Sequence, residues 1–361
     1  MGRRTGNSLA RGCLPVHDAA MRPLPDWNQL SFSLTEPDFM YVSHGDDTKG
    51  LFWDAGELLP FGDLQVSPAA AFMSYGLGIF EGLKAQRSPD GRVLLFRADR
   101  NAERFRRSAD RMTLAPFPAK RFVQACIDVV RSNLRLVPPH DKGSFYLRPV
   151  EVATGLRLGL GPVHQFLVVI YGSPVGAYFG GVGGGVRLRV LEQGRVPAGG
   201  TGAAKCMGNY AGGIRIAYEW KQRGFDDVLY LDAHEMKWVT ETSGSNVFVR
   251  LKNGTLVTPP LSDQILDGNT RASTLQIARD ILGMKVEERP ISIAEALADG
   301  EEMFAAGTAW TLLSVREVVH RDETRVFEKT GARESLLKLL RGIQCGTEHD
   351  RFGWNVEVPP G

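Results

Sequence analysis

The chain has 361 residues, 43 % hydrophobic and 23 % charged, values ordinary for a folded globular protein and too apolar for a disordered or fibrous one. At roughly 100–200 residues per domain, that length predicts two domains. Lys and Arg total 43 against 41 Asp and Glu, and the resulting +2 excludes a broad electrostatic footprint for nucleic acid or anionic lipid, so any ligand is recognised locally.

Residues 1–20 read as a flexible tail. Arg3, Arg4 and Arg11 make it mildly basic, as in organellar transit peptides, but a loose tail or a start at Met21 is the commoner explanation. Asp99 is a natural N-cap, and Ala102, Phe105, Ala109 and Met112 recur at helical spacing, predicting a helix with one apolar stripe on an Arg-rich surface. A second helix follows, with Phe122, Cys126, Val129 and Val130 facing inward. Residues 145–152 and 166–171 read as strands, the second apolar throughout and therefore central in its sheet. Residues 172–185 (GSPVGAYFGGVGGG) are too glycine-rich for a regular element and are assigned to an interdomain connector, dividing residues 21–171 from residues 186–361.

Beyond it, residues 186–191 alternate like a half-buried strand, and residues 195–207 form a long loop of small residues. A helix is predicted over 209–222, then strands over 228–232, 237–240 and 246–251, the last joined through Lys252-Asn253-Gly254 to 255–258 as a hairpin. Asp267-Gly268-Asn269-Thr270 opens a helix through Leu282, and a last strand region surrounds residues 303–315. No internal repeat is present.

The four cysteines, Cys13, Cys126, Cys206 and Cys345, have no C-x-x-C spacing, which removes zinc ribbons, thioredoxin-type pairs and a disulfide framework. Free thiols, no apolar run near the ~18 residues of a membrane span and no secretory h-region together predict a cytoplasmic protein without membrane or metal.

Several glycine clusters suggest nucleotides and fail on spacing. Gly76-Leu77-Gly78-Ile79-Phe80-Glu81-Gly82 has one residue too many for a Rossmann turn, and Gly199–Lys205 (GGTGAAK) has Ala204 where a phosphate loop needs Gly. No G-x-S-x-G elbow or H-E-x-x-H is present. What remains is Lys205, within PAGGTGAAKCMGNYAGG and without an acidic neighbour. Such a lysine is either a solvated loop residue or, if desolvated, a nucleophile or base with a lowered pKa. Asn269-Thr270 at a helix N-terminus is either an ordinary cap or a phosphate cup.

The segments YGLGIFEGLKA, FYLRPVE, GSPVGAYF, KCMGNYAGG, VTETSGSNVF, LDGNTRAST and AAGTAW, in order between about residues 30 and 319, resemble the branched-chain amino acid aminotransferases. The resemblance implies an α+β fold of type IV among pyridoxal 5'-phosphate enzymes, with a smaller N-terminal α/β sandwich, a larger C-terminal pseudo-barrel, the cofactor between them and a homodimer. It aligns Lys205 with the catalytic Schiff-base lysine and Tyr210 with the tyrosine on the cofactor's phenolic oxygen. Glu241 aligns with the partner of the pyridine nitrogen, Arg104 with the phosphate-binding arginine, and Asn269, Thr270 and Thr308 with the rest of the phosphate cup.

The implied reaction is reversible amino transfer between L-leucine, L-isoleucine or L-valine and 2-oxoglutarate, with Lys205 as base and then acid. By the same resemblance Phe32, Tyr75 and Tyr146 form an apolar wall. Tyr75, Tyr146 and Arg148 offer polar ends to a second carboxylate, the Ala309 N–H anchors the α-carboxylate, and Tyr178 closes over the substrate. Trp310 and Leu313 stand where the animal mitochondrial form has a redox C-x-x-C, and Gly244 replaces a threonine, leaving one hydroxyl fewer. D-amino acid aminotransferase and aminodeoxychorismate lyase share the fold and are the alternatives within it; a non-catalytic binding protein is the alternative of another class.

Overall fold

The computed structural model describes residues 22–176 and 184–360. In the first half, β1 (Phe39–Asp46), β2 (Phe52–Trp53) and β3 (Glu57–Pro60) precede the short helix α1 (Ala71–Tyr75). Then come β4 (Gly78–Phe80), β5 (Leu83–Arg87) and β6 (Val93–Phe96), helices α2 (Ala98–Arg111) and α3 (Ala119–Ser132), and the long strands β7 (Ser144–Ala153) and β8 (Gln165–Val175). The second half holds β9 (Val186–Leu191), α4 (Gly208–Gln222), β10 (Asp227–Leu231), β11 (Val239–Thr242), β12 (Asn246–Leu251), β13 (Leu256–Thr258), α5 (Asn269–Asp280) and β14 (Val286–Glu288). It ends with α6 (Ile293–Asp299), β15 (Gly300–Gly307), β16 (Thr311–His320), β17 (Glu323–Val326), α7 (Gly331–Cys345) and β18 (Asn355–Val358).

Two sheets organise the molecule. The first runs β18-β6-β5-β7-β8-β1-β2, with β3 on β1 and β4 on β7, all antiparallel. Helices α2 and α3 cover one face, burying Phe105, Phe117, Phe122 and Phe145 completely, each burial being favourable by about 1.5–3 kcal/mol. In the second sheet β11-β10-β9-β16-β15-β12 closes through β11–β12 into a six-stranded barrel filled by Leu188, Leu229, Val247 and Met303, while α5 and α7 pack outside it. This is the α+β, two-domain fold of type IV expected from the sequence.

Four expectations change. The connector begins later than residue 172, because Gly172–Val175 continue β8 in register with β7; Gly172 is glycine because the Phe145 ring occupies the space its Cβ would need. The chain after 186 is not confined to the barrel, since β18 returns to pair with β6, and Trp354 meets Phe96 edge to face. Asp99 is not the N-cap of α2: Arg97, in a left-handed conformation at φ 51°, precedes the helix and Asp99 lies in its first turn. The strand region predicted around 303–315 is divided, forming a hairpin of β15 and β16.

Glu151 is a polar exception within the α2–α3 core. It is 0 % exposed, both carboxylate oxygens lack a partner, and burial raises its pKa well above the ordinary carboxyl range. A raised carboxyl pKa makes its stability contribution complete below the unfolded value and progressively lost as pH rises above it. Glu151→Leu is therefore expected to stabilise the protein at pH 8 by about 1–3 kcal/mol, with a smaller gain at pH 5, as measured by urea unfolding at both pH values.

Candidate active site

Lys205 is held where the two sheets meet. Its carbonyl accepts from the Phe80 N–H at 3.1 Å, its own N–H donates to Ser108 Oγ at 3.0 Å, and Cys206 bridges to Ile79 beside β4. Backbone contacts to β4 and α2 thus fix a loop whose small residues give it no core of its own. Its Nζ donates to the Tyr210 hydroxyl at 2.9 Å and lies 4.6 Å from the Phe80 ring centroid. Tyr210 stands on the first turn of α4, so the five-residue spacing is the loop's turn into the helix.

The cleft that Lys205 lines also holds a buried carboxylate. Glu241, on β11, is 4 % exposed and takes Arg195 on one oxygen at 2.9 Å, with Asn246 Nδ2 at 2.9 Å and the Leu266 N–H at 2.7 Å on the other. Burial raises its pKa and the Arg195 charge opposes that rise. Arg195 and Asn246 were not singled out from sequence. The Asn246 signal was present, because residues five apart on paired antiparallel strands face each other across a tight turn, here Glu241 opposite Asn246.

The same cleft holds a group of donors. Arg104 lies on the buried face of α2, at the 101, 104, 105, 108 spacing, and not on the solvated face with Arg106, Arg107 and Arg111. Its Nε and one terminal nitrogen grip Glu81 at 2.7 and 2.8 Å, and the other terminal nitrogen donates to the Asp267 carbonyl at 3.0 Å. Burial alone would push the Glu81 carboxyl up, but the Arg104 charge and hydrogen bonds outweigh it and hold the pKa below the ordinary value. Asn269 and Thr270 open α5, whose first N–H groups have no intrahelical acceptor. Asn269 is 6 % exposed with both side-chain polar atoms unpartnered, and Ser245 also presents a buried, unpartnered hydroxyl. Arg104, Asn269, Thr270 and Ser245, with Thr308, Lys205, Tyr210 and Glu241, line one cleft with about 440 Å³ of free space open to solvent.

Of the other predicted residues, Tyr146 and Arg148 project from the same face of β7, with Phe32 edge-on to Tyr146 at 5.1 Å. The Arg148 guanidinium stacks 5.0 Å over Phe80 and 5.5 Å over Tyr146, and its Nε is unpartnered. Gly82 is required there, because a Cβ would collide with the Tyr146 hydroxyl. Tyr75 is not brought to this wall: it is 40 % exposed at the end of α1, its hydroxyl donating to the Leu158 carbonyl. Tyr178 lies outside the described residues. Thr308 and Ala309 occupy the β15–β16 turn, which closes on Thr311 at φ 68°, a strained conformation for a β-branched residue. The Ala309 carbonyl accepts from Lys84 Nζ at 2.7 Å. Gly244 borders the cleft with open space where a side chain would begin.

The cleft fits pyridoxal phosphate by its donor chemistry. Free amides at a helix N-terminus, an unpartnered Asn269 and Arg104 suit a phosphate, a buried carboxylate suits a protonated ring nitrogen, and a lysine amine lines the same cleft. Comparison with known proteins agrees. The family model described as amino-transferase class IV matches residues 78–318. A Humulus lupulus relative named branched-chain amino acid aminotransferase 1, mitochondrial, is 41 % identical over 92 % of this chain and 84 % of its own. An Arabidopsis thaliana relative named branched-chain-amino-acid aminotransferase 5, chloroplastic, is 37 % identical over 92 % of this chain and 80 % of its own.

Among solved structures, the Escherichia coli branched-chain amino acid aminotransferase superposes with a TM-score of 0.76 at 26 % identity, over 90 % of this chain and all of that one. The branched-chain amino acid aminotransferase of T.th., solved with pyridoxamine 5'-phosphate, superposes at 0.72 with 25 % identity, over 91 % of this chain and all of that one. The plant relatives overturn the cytoplasmic expectation, since their names place them in mitochondria or chloroplasts. Scattered thiols report only that no disulfide framework is needed, a condition that does not single out the cytoplasm. With this sequence match, this fold and this cleft, the chain belongs to the class IV amino-transferase family, in its branched-chain amino acid branch, with pyridoxal phosphate as cofactor.

Proposed function

We propose that the protein catalyses reversible amino transfer between L-leucine, L-isoleucine or L-valine and 2-oxoglutarate, the two substrates taking turns at one site. The observation that carries this reading is the Lys205 amine, 2.9 Å from the Tyr210 hydroxyl and in one cleft with Glu241, Arg104, Asn269, Thr270 and Thr308. When bound, pyridoxal phosphate supplies the carbonyl that takes up the amino group and the ring that accepts the electron pair of the broken Cα–H bond. Glu241 keeps the ring nitrogen protonated, with Arg195 and Asn246 holding that carboxylate in place. Arg104, Asn269, Thr270 and Thr308 hold the phosphate, and Tyr210 binds the phenolic oxygen.

Lys205 would hold the cofactor's carbonyl carbon, and its amine would move the proton at substrate Cα, first as base and then as acid. The Ala309 N–H anchors the α-carboxylate. Phe32 and Tyr146 give a branched side chain an apolar wall, while Arg148, flat and stacked with its Nε free, receives the second carboxylate of 2-oxoglutarate. One pocket thus serves two unlike side chains.

We also propose a homodimer. Met73, Tyr75, Leu156, Leu158 and Leu160 are 40–97 % exposed around α1 and the β7–β8 loop, more apolar surface than a monomer normally leaves to water. Light scattering is expected to give twice 39.6 kDa.

The activity is tested by the visible spectrum of the purified protein. The cofactor's absorption band is expected to fall on addition of L-leucine and to return with 2-oxoglutarate, with D-alanine inert. A response to D-alanine alone would move the assignment to the D-specific relatives of this fold.

A further inference from the structure

A second cavity opens where β5, the β15–β16 turn and α7 meet, with about 1350 Å³ of free space open to solvent. Six of its lining side chains are basic: Lys84, Arg87, His140, Lys142, Arg333 and Arg341. Among the described residues Asp141 is the one carboxylate on this wall; it is 84 % exposed and lies 3.2 Å from His140. The outer cations already have neutral partners. Arg87 donates to the Leu134 and Gly91 carbonyls, and Lys142 to Asn28 Oδ1.

The inner three do not balance. Arg333 and Arg341 stand eight residues apart on one face of α7, with Leu337 between them. Arg333 reaches the Leu312 carbonyl at 3.4 Å and Glu334 at 3.7 Å, and its Nε is buried without a partner. Arg341 makes no hydrogen bond or ion pair among the described residues. Lys84 uses one of its N–H groups on the Ala309 carbonyl. Burial, followed by the Arg341 charge, brings the Lys84 pKa down to about 7, and burial, followed by the Arg333 charge, lowers that of Arg341. Like charges gathered on a partly desolvated wall without a counter-charge destabilise the fold until an anion joins them, which is the signature of a binding site more than of a structural one.

We infer that the cavity between β5 and α7 binds a small dianion, phosphate or a dicarboxylate, through Lys84, Arg333 and Arg341. The two guanidinium forks match oxyanion or carboxylate geometry, and the Lys84 ammonium supplies a third charge, so two negative charges are favoured over one. The site is centred on Arg333 and Arg341, which do not line the cleft around Lys205, while Lys84 stands at its border, since it also lines a small cavity with Asn269, Thr270 and Thr308. It adjoins that cleft through the Lys84–Ala309 hydrogen bond.

The test uses the full chain loaded with pyridoxal phosphate, whose visible band reports that its own cup stays filled. Sulfate, phosphate and malonate are titrated at constant ionic strength against chloride, with binding followed by calorimetry and by Tm. Binding of sulfate and phosphate identifies an oxyanion ligand, and binding of malonate a dicarboxylate; either supports the site. Arg341→Ala is expected to weaken that binding at least tenfold, about 1.4 kcal/mol, while its Tm in chloride alone is no lower than that of the unaltered chain, since a like charge has gone. Lys84→Met is expected to weaken binding in the same direction. The inference is overturned if none of the three dianions binds beyond chloride, or if Arg341→Ala binds them as well as the unaltered chain does.

Discussion

Lys205→Ala is expected to lose amino transfer by about 10⁴-fold or more, because the substitution removes both the covalent attachment and the proton carrier at Cα. The fold is expected to survive. The loop is fixed by the backbone of Lys205 and its neighbours, through Phe80, Ser108 and Ile79, and alanine keeps all of those contacts. The Tm of the variant should therefore stay within a few degrees of the original, and added pyridoxal phosphate should still bind, held by Arg104, Asn269 and Thr308 without a covalent bond. Steady-state rates with L-leucine and 2-oxoglutarate decide the matter: activity within tenfold of the unaltered chain would remove Lys205 from the mechanism.

Glu81→Ala is expected to cost the most stability, about 3–5 kcal/mol, by stranding the Arg104 guanidinium inside the protein. Glu81 is 0 % exposed and Arg104 4 %, and their bidentate contact at 2.7 and 2.8 Å is reinforced by Asn101 on the same carboxylate at 2.7 Å. Solvent cannot replace the lost charge there. Since Arg104 also lines the cleft and is proposed to hold the phosphate, cofactor affinity should fall together with stability, as read by urea unfolding and by titration with pyridoxal phosphate. Glu81→Gln, which keeps an acceptor for Arg104, is expected to recover part of both losses. A Glu81→Ala chain that is as stable as the original and binds the cofactor equally would show that Arg104 does not depend on its partner.

The helices and strands with clear periodicity were legible in the sequence because local spacing reports which face is buried. The stripe Ala102, Phe105 and Ala109 faces the core of α2 as expected, and residues 246–251 form β12 at the predicted bounds. Residues 172–175 misled because glycine content signals a loop locally, whereas Gly172 answers a ring packed on it from the neighbouring strand. Arg104 shows the same limit. Read along the chain it is one arginine among several; on the folded helix it is the one turned inward onto Glu81, a residue 23 positions away.

By itself the sequence determined the fold class and the cofactor, because both follow from ordered motifs that resemble one family, and the roles proposed for Lys205, Tyr210, Glu241 and Asn269 rest on that resemblance. Only the tertiary structure decided which charges meet. Arg195 on Glu241, Glu81 on Arg104, the unpaired carboxyl of Glu151 and the uncompensated cations at Lys84 and Arg341 all depend on contacts between distant segments, or on their absence. The physical reason is that burial and long-range pairing set the energy of a charge, and neither is encoded in the spacing of neighbours along the chain.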